Sequence, residues 1–390
     1  MQAQTPSFTV SRDVLLVELV HAERVIERKP ALPVLSHVLI EARADQLVLK
    51  GTDLDVSLQS HAEAAVSREG SVCLAATKLR QLVAAMKGDV TCEGLPHGTV
   101  RLRGDGLDVK VAGLEGEDFP STPSLSPDQP TVTVPAAPVL RAIHATRYAV
   151  ASVDHVGREF VRAARLTVQR GSVEMSALDG HRMAHYREDV DTAATGVEAC
   201  LTGKALDELE QLLRDRESFE IQNQEHHVLV GVGARTLAQK KIGSAHPDYA
   251  RVLAVRHPNE VTASKAALAA AVKRALLFAP EGIVRLRASA GVLTVDAENG
   301  DGSARDEVAV EMSGRPWAIA FNGRYLLNTF AAIDGDVRIQ VRDADHHGVF
   351  MPVKETPGRS LHVVAPVRLP KTEVEPSSAG VASAAEEARA

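Results

Sequence analysis

The sequence repeats one order of secondary structure three times, and this repetition constrains the fold more than any single motif. Each copy of the clearest unit consists of a strand, a helix and three further strands. Leu79 and Leu206 hold the same place in successive copies, 206 − 79 = 127 residues apart, and Leu326 follows Leu206 after 326 − 206 = 120 residues. A period of this length is typical of tandem domains rather than of a solenoid.

The spacing of apolar residues predicts the helix of each unit. In the first copy Leu79, Leu82, Val83 and Met86 fall at i, i+3, i+4 and i+7, which places them on one helical face. The three helices are predicted at 77–88, 202–214 and 322–333. A first half precedes each unit, with a further helix and then a strand, a turn and a strand. Its helices are predicted at 12–26, 136–151 and 264–278, and its turns at 44–45, 170–171 and 289–291.

Two recurring segments predict the domain boundaries. Copies one and two end alike, in Asp118-Phe-Pro120 and Pro247-Asp-Tyr249, and linker-like residues follow each. The predicted domains are therefore 1–124, 125–254 and 255–369. Residues 370–390 have no periodic apolar face, which predicts a disordered tail. The expected fold class is α+β, with two helices packed on curved antiparallel sheets in every copy.

The composition excludes several classes of protein. Of the 390 residues, 45% are hydrophobic and 24% charged, as in a soluble globular protein. The three cysteines form no CxxC pair, the N-terminus lacks the features of a signal peptide, and no run of 18 apolar residues occurs. We therefore expect a cytoplasmic protein with no membrane contact. A net charge of −7 argues against a chain that is basic all over, but it does not exclude one basic surface.

Three similar modules in a row predict an arc with unlike ends. A head-to-tail contact with a second copy would close such an arc into a ring. Basic residues on the helices, Arg80, Arg147 and Lys204 among them, could then face inward and hold nucleic acid through its phosphates. The alternative is that these are ordinary surface charges, because acids such as Asp207 and Glu208 share the same helices.

The segment from Ser176 to Tyr186 has the strongest local pattern. Asp179-Gly180 is a tight-turn dipeptide between two extended stretches, which predicts a β-hairpin with His181 and Arg182 at its tip. A zinc helix carrying His181 and His185 would need glutamate where Arg182 stands. A hydrolase that uses Asp179, His181 and His185 is the alternative from another functional class, and a solvated hairpin tip is the non-functional one.

Two further segments have residues that could bind a metal. Asp343-Ala-Asp-His-His347 clusters carboxylates with imidazoles, yet an exposed polar loop has the same composition. Asn299-Gly-Asp-Gly302 lacks the ligand order of a calcium loop. The sequence contains neither a phosphate-binding loop nor a GxSxG nucleophile motif. No cofactor, metal or catalytic residue is therefore expected.

Several motifs together resemble the bacterial β sliding clamp, the processivity subunit of DNA polymerase III. The motifs are Lys29-Pro-Ala-Leu-Pro-Val-Leu35, Gly51-Thr-Asp-Leu-Asp55, Asp179-Gly-His-Arg-Met-Ala184, His246-Pro-Asp-Tyr-Ala-Arg-Val-Leu253, Phe321-Asn-Gly-Arg-Tyr325 and Ala365-Pro-Val-Arg-Leu369. The resemblance covers residues 8–369 and implies a homodimeric ring of six domains that encircles double-stranded DNA without sequence specificity and without catalysis. It also implies partners: the DNA polymerase III alpha subunit, the clamp loader, and other polymerases and repair proteins, all bound through clamp-binding peptides.

The resemblance places a partner-peptide cleft between the second and third domains. Its residues carry over to Val161, Leu178, Gly180, His181, Arg182, Met183, Pro247, Arg251, Val252, Asn322, Tyr325, Val363, Pro366, Val367, Arg368 and Leu369. The family's DNA-lining residues carry over to Arg28, Lys29 and Lys204, and Arg80 and Arg147 join them by their position on helices.

The chain departs from the family at the cleft and beyond it. Leu178 replaces a small hydroxyl residue, and Ala365 and Val367 stand where methionine is usual, so the shape of the groove should differ. The chain continues for 390 − 369 = 21 residues past Leu369, where the family normally ends. A specialised paralogue that serves one particular partner is the remaining alternative.

Overall fold

The computed structural model describes residues 4–27, 30–151, 159–194, 196–243, 249, 252 and 254–368. Its contacts divide into two compact units. The first unit holds copies one and two, apart from residues 181–183, together with residues 357–359, and the second holds residues 181–183 and the rest of the third copy. None of the helices in the described ranges has the length and apolar character needed to span a bilayer.

Six α-helices occur in the described ranges, two in each copy. They are α1 Arg12–Val25, α2 Ala76–Ala85, α3 Ala136–Thr146, α4 Gly203–Leu213, α5 Lys265–Ala275 and α6 Gly323–Ala332. All six helix predictions are confirmed. The helices end earlier than predicted because the last residues form other structures: 3-10 turns continue α3 over Arg147–Ala149 and α5 over Leu276–Phe278. Gly88 and Gly335 follow α2 and α6 with φ of 66° and 77°, the left-handed backbone that favours glycine.

Twenty-seven strands occur in the described ranges. The first copy has β1 Ser7–Ser11, β2 His37–Arg43, β3 Gln46–Thr52, β4 Val56–Glu63, β5 Ala65–Arg68, β6 Gly70–Ala75, β7 Asp89–Gly94, β8 Thr99–Gly104, β9 Leu107–Ala112 and β10 Leu114–Glu115. The second copy has β11 Thr131–Pro135, β12 Ala163–Gln169, β13 Ser172–Leu178, β14 Arg182–Asp189, β15 Val197–Thr202, β16 Ser218–Asn223, β17 His227–Val232 and β18 Arg235–Lys240. The third copy has β19 Asn259–Ala263, β20 Ile283–Ser289, β21 Val292–Asn299, β22 Gly302–Ala309, β23 Glu311–Ser313, β24 Trp317–Asn322, β25 Val337–Val341, β26 Gly348–Pro352 and β27 Gly358–Val364.

The first unit joins two copies through one continuous sheet. Its nine strands run in the order β10-β6-β2-β3-β4-β18-β17-β16-β11, so strands of copy one pair with strands of copy two at β4 and β18. At this seam Leu237 lies opposite Leu58 and Gln239 opposite Val56. The remaining strands of copy one form a second sheet, in the order β5-β1-β7-β8-β9. Strands β15-β12-β13-β14 form the other group in this unit.

The second unit repeats the same two strand groups. One has the order β24-β20-β21-β22 and the other β23-β19-β25-β26-β27. The first order matches β15-β12-β13-β14, and the second matches the order β5-β1-β7-β8-β9. Helices α5 and α6 cover a core that includes Phe321, Phe330 and Phe350, whose rings meet edge to face. The predicted repeat is therefore confirmed at the level of strand order.

An ion pair and a histidine–carboxylate hydrogen bond, both to buried carboxylates, hold the copies of the first unit together. The Arg235 guanidinium of copy two donates to both carboxylate oxygens of Glu18 on α1, at 2.8 and 2.6 Å. Glu208 on α4 is 1% exposed and lies 2.5 Å from Nδ1 of His21 on α1. Because a buried carboxylate is costly unless it is paired, these contacts select the arrangement in which α1 and α4 lie side by side.

Candidate functional site

The hairpin predicted at Asp179-Gly180 is present in the described structure. Strand β13 ends at Leu178, Gly180 has φ of 91°, and β14 begins at Arg182. Glycine takes this backbone conformation without strain. The zinc-helix alternative is wrong, because His185 lies in a strand rather than on a helix. Burial lowers the pKa of His185, with Arg187 adding to the effect and Glu174 opposing it.

The segment after β27 is held by main-chain hydrogen bonds. The Ala365 N–H donates to the His181 carbonyl oxygen (2.8 Å), and the Val367 N–H donates to the Ala320 carbonyl oxygen (2.8 Å). Ala320 lies in β24, so the segment is fixed at two points of the second unit. Main-chain hydrogen bonds of this kind do not depend on the identity of the side chain. The segment therefore keeps its backbone path with alanine at position 365 and valine at position 367.

Aromatic and cationic side chains meet on the second unit beside this segment. The rings of His181 and Tyr325 stack with centroids 6.1 Å apart and planes at 27°. The Arg182 guanidinium lies 4.6 Å from the centre of the Tyr325 ring, close enough for a cation–π interaction. Tyr325 is half-buried against the core of the unit. The result is a preorganised surface that offers a flat apolar ring and hydrogen-bond donors to a ligand.

Asn322 has a structural role in addition to the predicted one. Its side-chain oxygen caps α6 by accepting hydrogen bonds from the N–H groups of Arg324 (3.0 Å) and Tyr325 (3.4 Å). The cap fixes the start of the helix that carries Tyr325. The amide nitrogen makes no hydrogen bond to any described residue, so the predicted contact with a peptide backbone is compatible with the cap.

The predicted cleft residues do not all fall in one unit. Besides His181, Arg182, Asn322 and Tyr325, six of the described ones belong to the second unit. Two of these are buried (Met183 and Val363), and three are half-buried (Val252, Pro366 and Val367). The sixth, Arg368, is exposed, and its Nε lies 3.9 Å from the Asp345 carboxylate. Val161, Leu178 and Gly180 belong to the first unit, where Val161 is buried and Gly180 is exposed. Pro247, Arg251 and Leu369 lie outside the described residues, as does the predicted tail 370–390.

The Asp343–His347 loop forms a closed turn. The Asp343 carboxylate accepts hydrogen bonds from the N–H groups of Asp345 and His346, and lies 2.6 Å from Nδ1 of His346. The contact with His346 lowers the pKa of Asp343. No group of three or more potential metal ligands occurs in the described ranges.

Nothing in the sequence indicates that Asp345 approaches Arg368, because two strands, β26 and β27, separate them along the chain.

The predicted DNA-binding residues of the first unit line one cleft of about 830 Å³. Each is paired with a carboxylate: Arg80 with Glu23, Arg147 with Asp207, and Lys204 with Asp53. The Lys204 ammonium also donates to the Val25 carbonyl oxygen at 2.6 Å. Arg28 and Lys29 lie outside the described residues.

This cleft is balanced in charge. Five basic and five acidic side chains line it, so the predicted residues form no continuous positive surface there. The sequence shows that acids share these helices, but it does not show which basic residue each acid contacts. The available signal is the set of acids on the same helices, Asp207 and Glu208 above all.

Comparisons with known proteins agree with the geometry. Three family models match successive segments: the DNA polymerase III beta subunit N-terminal domain at residues 6–123, the central domain at 133–248 and the C-terminal domain at 250–366. The beta sliding clamp of Pseudomonas aeruginosa is 29% identical over 375 residues, covering 93% of this chain and 100% of the relative. That of Caulobacter vibrioides is 28% identical over 381 residues, covering 93% and 99%. A Pseudomonas aeruginosa sliding clamp solved with griselimycin bound superposes with a TM-score of 0.82 at 27% identity, covering 94% of this chain and 100% of that one.

Proposed function

This chain belongs to the DNA polymerase III beta-subunit family, and we propose that two copies of it close head to tail into a ring around duplex DNA. As a member of that family it is a DNA sliding clamp, a non-catalytic subunit that gives DNA polymerase III its processivity. The hydrolase alternative is therefore wrong. We also propose that its three clamp domains divide near residues 124 and 254, and that it acts in the cytoplasm on the nucleoid.

The observation that carries the ring is a pair of strand edges left open by the repeat. In the first unit β4 of copy one pairs with β18 of copy two. By strand order, β22 holds the place of β4 in the third copy, and β9 holds the place of β18 in the first. Within the described residues each of these two strands has a neighbour on one side only. Pairing β22 of one chain with β9 of a second would repeat the β4–β18 seam twice and close a ring of six domains.

Side chains near β22 support an interface at that edge. Leu277 is 77% exposed, the largest value among the exposed large hydrophobic residues of the described ranges. It belongs to the turn after α5, and the same turn brings Phe278 against Gly302 at the start of β22. Outward-facing charges of both signs occur on each edge, Arg305 and Glu307 on β22, and Asp108 and Lys110 on β9. The unpaired N–H and C=O groups of an open edge strand can pair with a strand of another chain, and Leu277 would be partly covered by such a contact.

The ring would hold DNA by enclosure with weak contacts. We propose that Arg80, Arg147 and Lys204 face the DNA, with Arg28 and Lys29. The carboxylates paired with the first three compete with phosphates for the same cations. Direct binding should therefore be weak and lost at moderate salt, while a closed ring stays on a closed circle. Weak contacts also suit a protein that must slide.

The peptide cleft is proposed on the second unit, around Tyr325, Arg182 and residues 365–368. The stacked rings of His181 and Tyr325, the Arg182 guanidinium over Tyr325 and the hydrogen-bonded backbone after β27 give a preorganised surface, to which the Asn322 amide adds a hydrogen-bond donor. Clamp-binding peptides of the DNA polymerase III alpha subunit, the clamp loader, and other polymerases and repair proteins are the proposed ligands. The griselimycin complex of the Pseudomonas aeruginosa relative supports a ligand site in this family.

Retention on circular DNA tests the ring. The chain is loaded by the clamp loader onto a nicked plasmid, washed with high salt and separated by gel filtration. We expect the protein to stay with the circle and to leave when a restriction enzyme linearises it, since only enclosure survives the salt. A protein that is released equally from circles and from linear DNA would contradict the proposal.

A further inference from the structure

A second, smaller cavity lies in the first unit, on the hairpin tip of copy one. It has a volume of about 310 Å³, the lower end of the range for small-ligand sites. Its walls come from the tip after β3, from linker residues 121–123, and from β17 and β18. It shares only Asp55 among its lining residues with the charge-balanced cleft.

The position of this cavity in the repeat is that of the proposed peptide cleft. Strands β3 and β13 are both seven residues long and end at Thr52 and Leu178, and three residues then lead to β4 and β14. The middle residue of each tip has positive φ, 79° at Leu54 and 91° at Gly180. Position by position, Thr52, Leu54, Asp55 and Ser57 of the cavity therefore correspond to Leu178, Gly180, His181 and Met183.

The linker residues show the same correspondence. Asp118-Phe-Pro120 in copy one aligns with Asp248-Tyr-Ala250 in copy two. The next two residues, Ser121 and Thr122, line the cavity and correspond to Arg251 and Val252 of the proposed cleft. The two linkers and the two tips thus supply equivalent positions, so copy one retains the framework of a binding site.

The side chains in this framework have changed from apolar to polar. Thr52, Ser57 and Thr122 stand where the other site has leucine, methionine and valine, and Asp55 stands in place of a histidine. The Thr122 hydroxyl is buried and has no hydrogen-bond partner in the described part of the chain. The exposed Asp55 carboxylate makes no ion pair there. A negative charge and an unused hydroxyl favour a cationic hydrogen-bond donor.

We propose that this cavity is a second protein-binding site, which takes a lysine or arginine side chain from an extended segment of a protein bound to the clamp. The volume accommodates one long side chain and its flanking backbone, and the Asp55 carboxylate pairs with its charge. The inference rests on the proposed peptide cleft only because the cleft identifies which positions of copy one correspond to those of a binding site. It requires neither an occupied cleft nor a closed ring.

Disulfide capture at the rim of the cavity tests the charge preference. The Ser121→Cys variant of the full chain is equilibrated with disulfide probes ending in a guanidinium, in the isosteric urea or in a carboxylate, and the captured fraction is read by mass spectrometry. The unchanged chain gives the background from its three cysteines. It should be low because burial raises the pKa of the Cys73 and Cys92 thiols to about 12 and also raises the pKa of the half-buried Cys200 thiol. We expect the guanidinium probe to be captured about fivefold more than the urea probe, and the carboxylate probe least of the three.

Two matched Asp→Asn changes distinguish an effect of the cavity from an effect of the protein's overall charge. Asp55→Asn in the Ser121→Cys background should bring guanidinium and urea capture to parity. Asp45→Asn, at an exposed turn of the same copy, makes the same change in net charge and should keep the preference. Equal capture of the two probes, an unchanged preference in Asp55→Asn, or an equal loss in Asp45→Asn would overturn the proposal.

Tyr325→Ala distinguishes this site from the proposed cleft. It removes the aromatic platform of the second unit and should leave guanidinium capture by the Ser121→Cys variant unchanged. If capture falls with Tyr325→Ala, the cavity is not an independent site and the inference fails. If Tyr325→Ala leaves binding of clamp-binding peptides intact, the proposed cleft fails while the result at Asp55 stands.

Discussion

The hairpin tips of copies one and two have the same length and a central residue with positive φ, but different side chains. In the first, Asp53 is fixed by the Lys204 ammonium of copy two, and Leu54 holds a backbone conformation that costs energy for a non-glycine residue. In the second, Gly180 takes that conformation freely, and the tip ends in His181 and Arg182 beside Tyr325. The comparison shows that the repeat preserves the path of the chain, while the side chains decide which contacts each tip makes. The first tip bonds to copy two and lines the proposed polar cavity, and the second lies in the proposed peptide cleft.

The largest effect is expected where the first tip is anchored. Lys204→Met removes the ammonium that binds Asp53 and the Val25 and Ile26 carbonyl oxygens. We expect the free energy of unfolding of the first unit to fall by about 2 kcal/mol, because hydrogen bonds to a charged group are lost from partly buried partners. Chemical denaturation followed by circular dichroism measures it. Lys78→Met, at an exposed position of α2, should change stability by less than about 0.5 kcal/mol. Equal losses would mean that the tip is not anchored as described.

A change beside the second tip should instead lower the affinity for a peptide. Tyr325→Ala removes the ring on which Arg182 and His181 lie, and we expect affinity for a clamp-binding peptide to fall at least tenfold, about 1.4 kcal/mol. Fluorescence anisotropy with a labelled peptide gives the dissociation constant. Tyr148→Ala, a partly buried tyrosine of copy two, provides an aromatic control for general loss of packing. Peptide affinity that falls equally in both variants would contradict a site at Tyr325.

Changing the central residue of each tip should alter the stability of the chain in opposite directions. Gly180→Ala places a Cβ at φ of 91° and should destabilise the chain by about 1 kcal/mol. Leu54→Gly relieves the strain at φ of 79°, and we expect a gain of up to about 0.5 kcal/mol, since Leu54 is 53% exposed and contributes little burial. Denaturation midpoints measure both. A loss of stability in both variants would show that Leu54 contributes packing rather than strain.

A further effect depends on pH and is specific to the second unit. Burial and the nearby His347, His346 and Arg342 lower the pKa of His257 to about 4, opposed by Asp343. An unfolded histidine titrates near 6.5, so the unfolded state binds more protons between pH 4 and 6.5. Stability from this group is present above pH 6.5 and is lost as pH falls toward 4.

Trp317 allows that loss to be assigned to the second unit. It is the only tryptophan of the chain and is 7% exposed in that unit. We expect the unfolding followed by its fluorescence to lose about 1 kcal/mol between pH 7 and pH 5, after allowance for solvent screening at a partly exposed site. His257→Gln should flatten the dependence. A pH profile unaffected by that change would assign the effect to other groups.

The repeat can be predicted well from the sequence because apolar spacing and turn residues are local signals. Leu79 and Val83 mark a helical face, and Asp179-Gly180 marks a turn, without knowledge of distant residues. Contacts between residues that are far apart in the chain cannot be predicted from such local signals. The family resemblance assigns Lys204 to DNA, yet this lysine lies against Asp53, 151 positions away in the chain, and the contact exists only after copies one and two pair. Leu54 carries no turn signal, and only comparison with Gly180 identifies its backbone as left-handed.

Amide hydrogen exchange at the two open edges tests the central claim most directly. Residues 107–112 and 302–309 are compared at high and low protein concentration, with the paired strands 56–63 and 235–240 as internal references. If β9 of one chain pairs with β22 of another, both edge peptides become protected together as dimers form, while the references do not change. Dimers of about twice 41.6 kDa in which neither edge gains protection would contradict a ring closed by this seam.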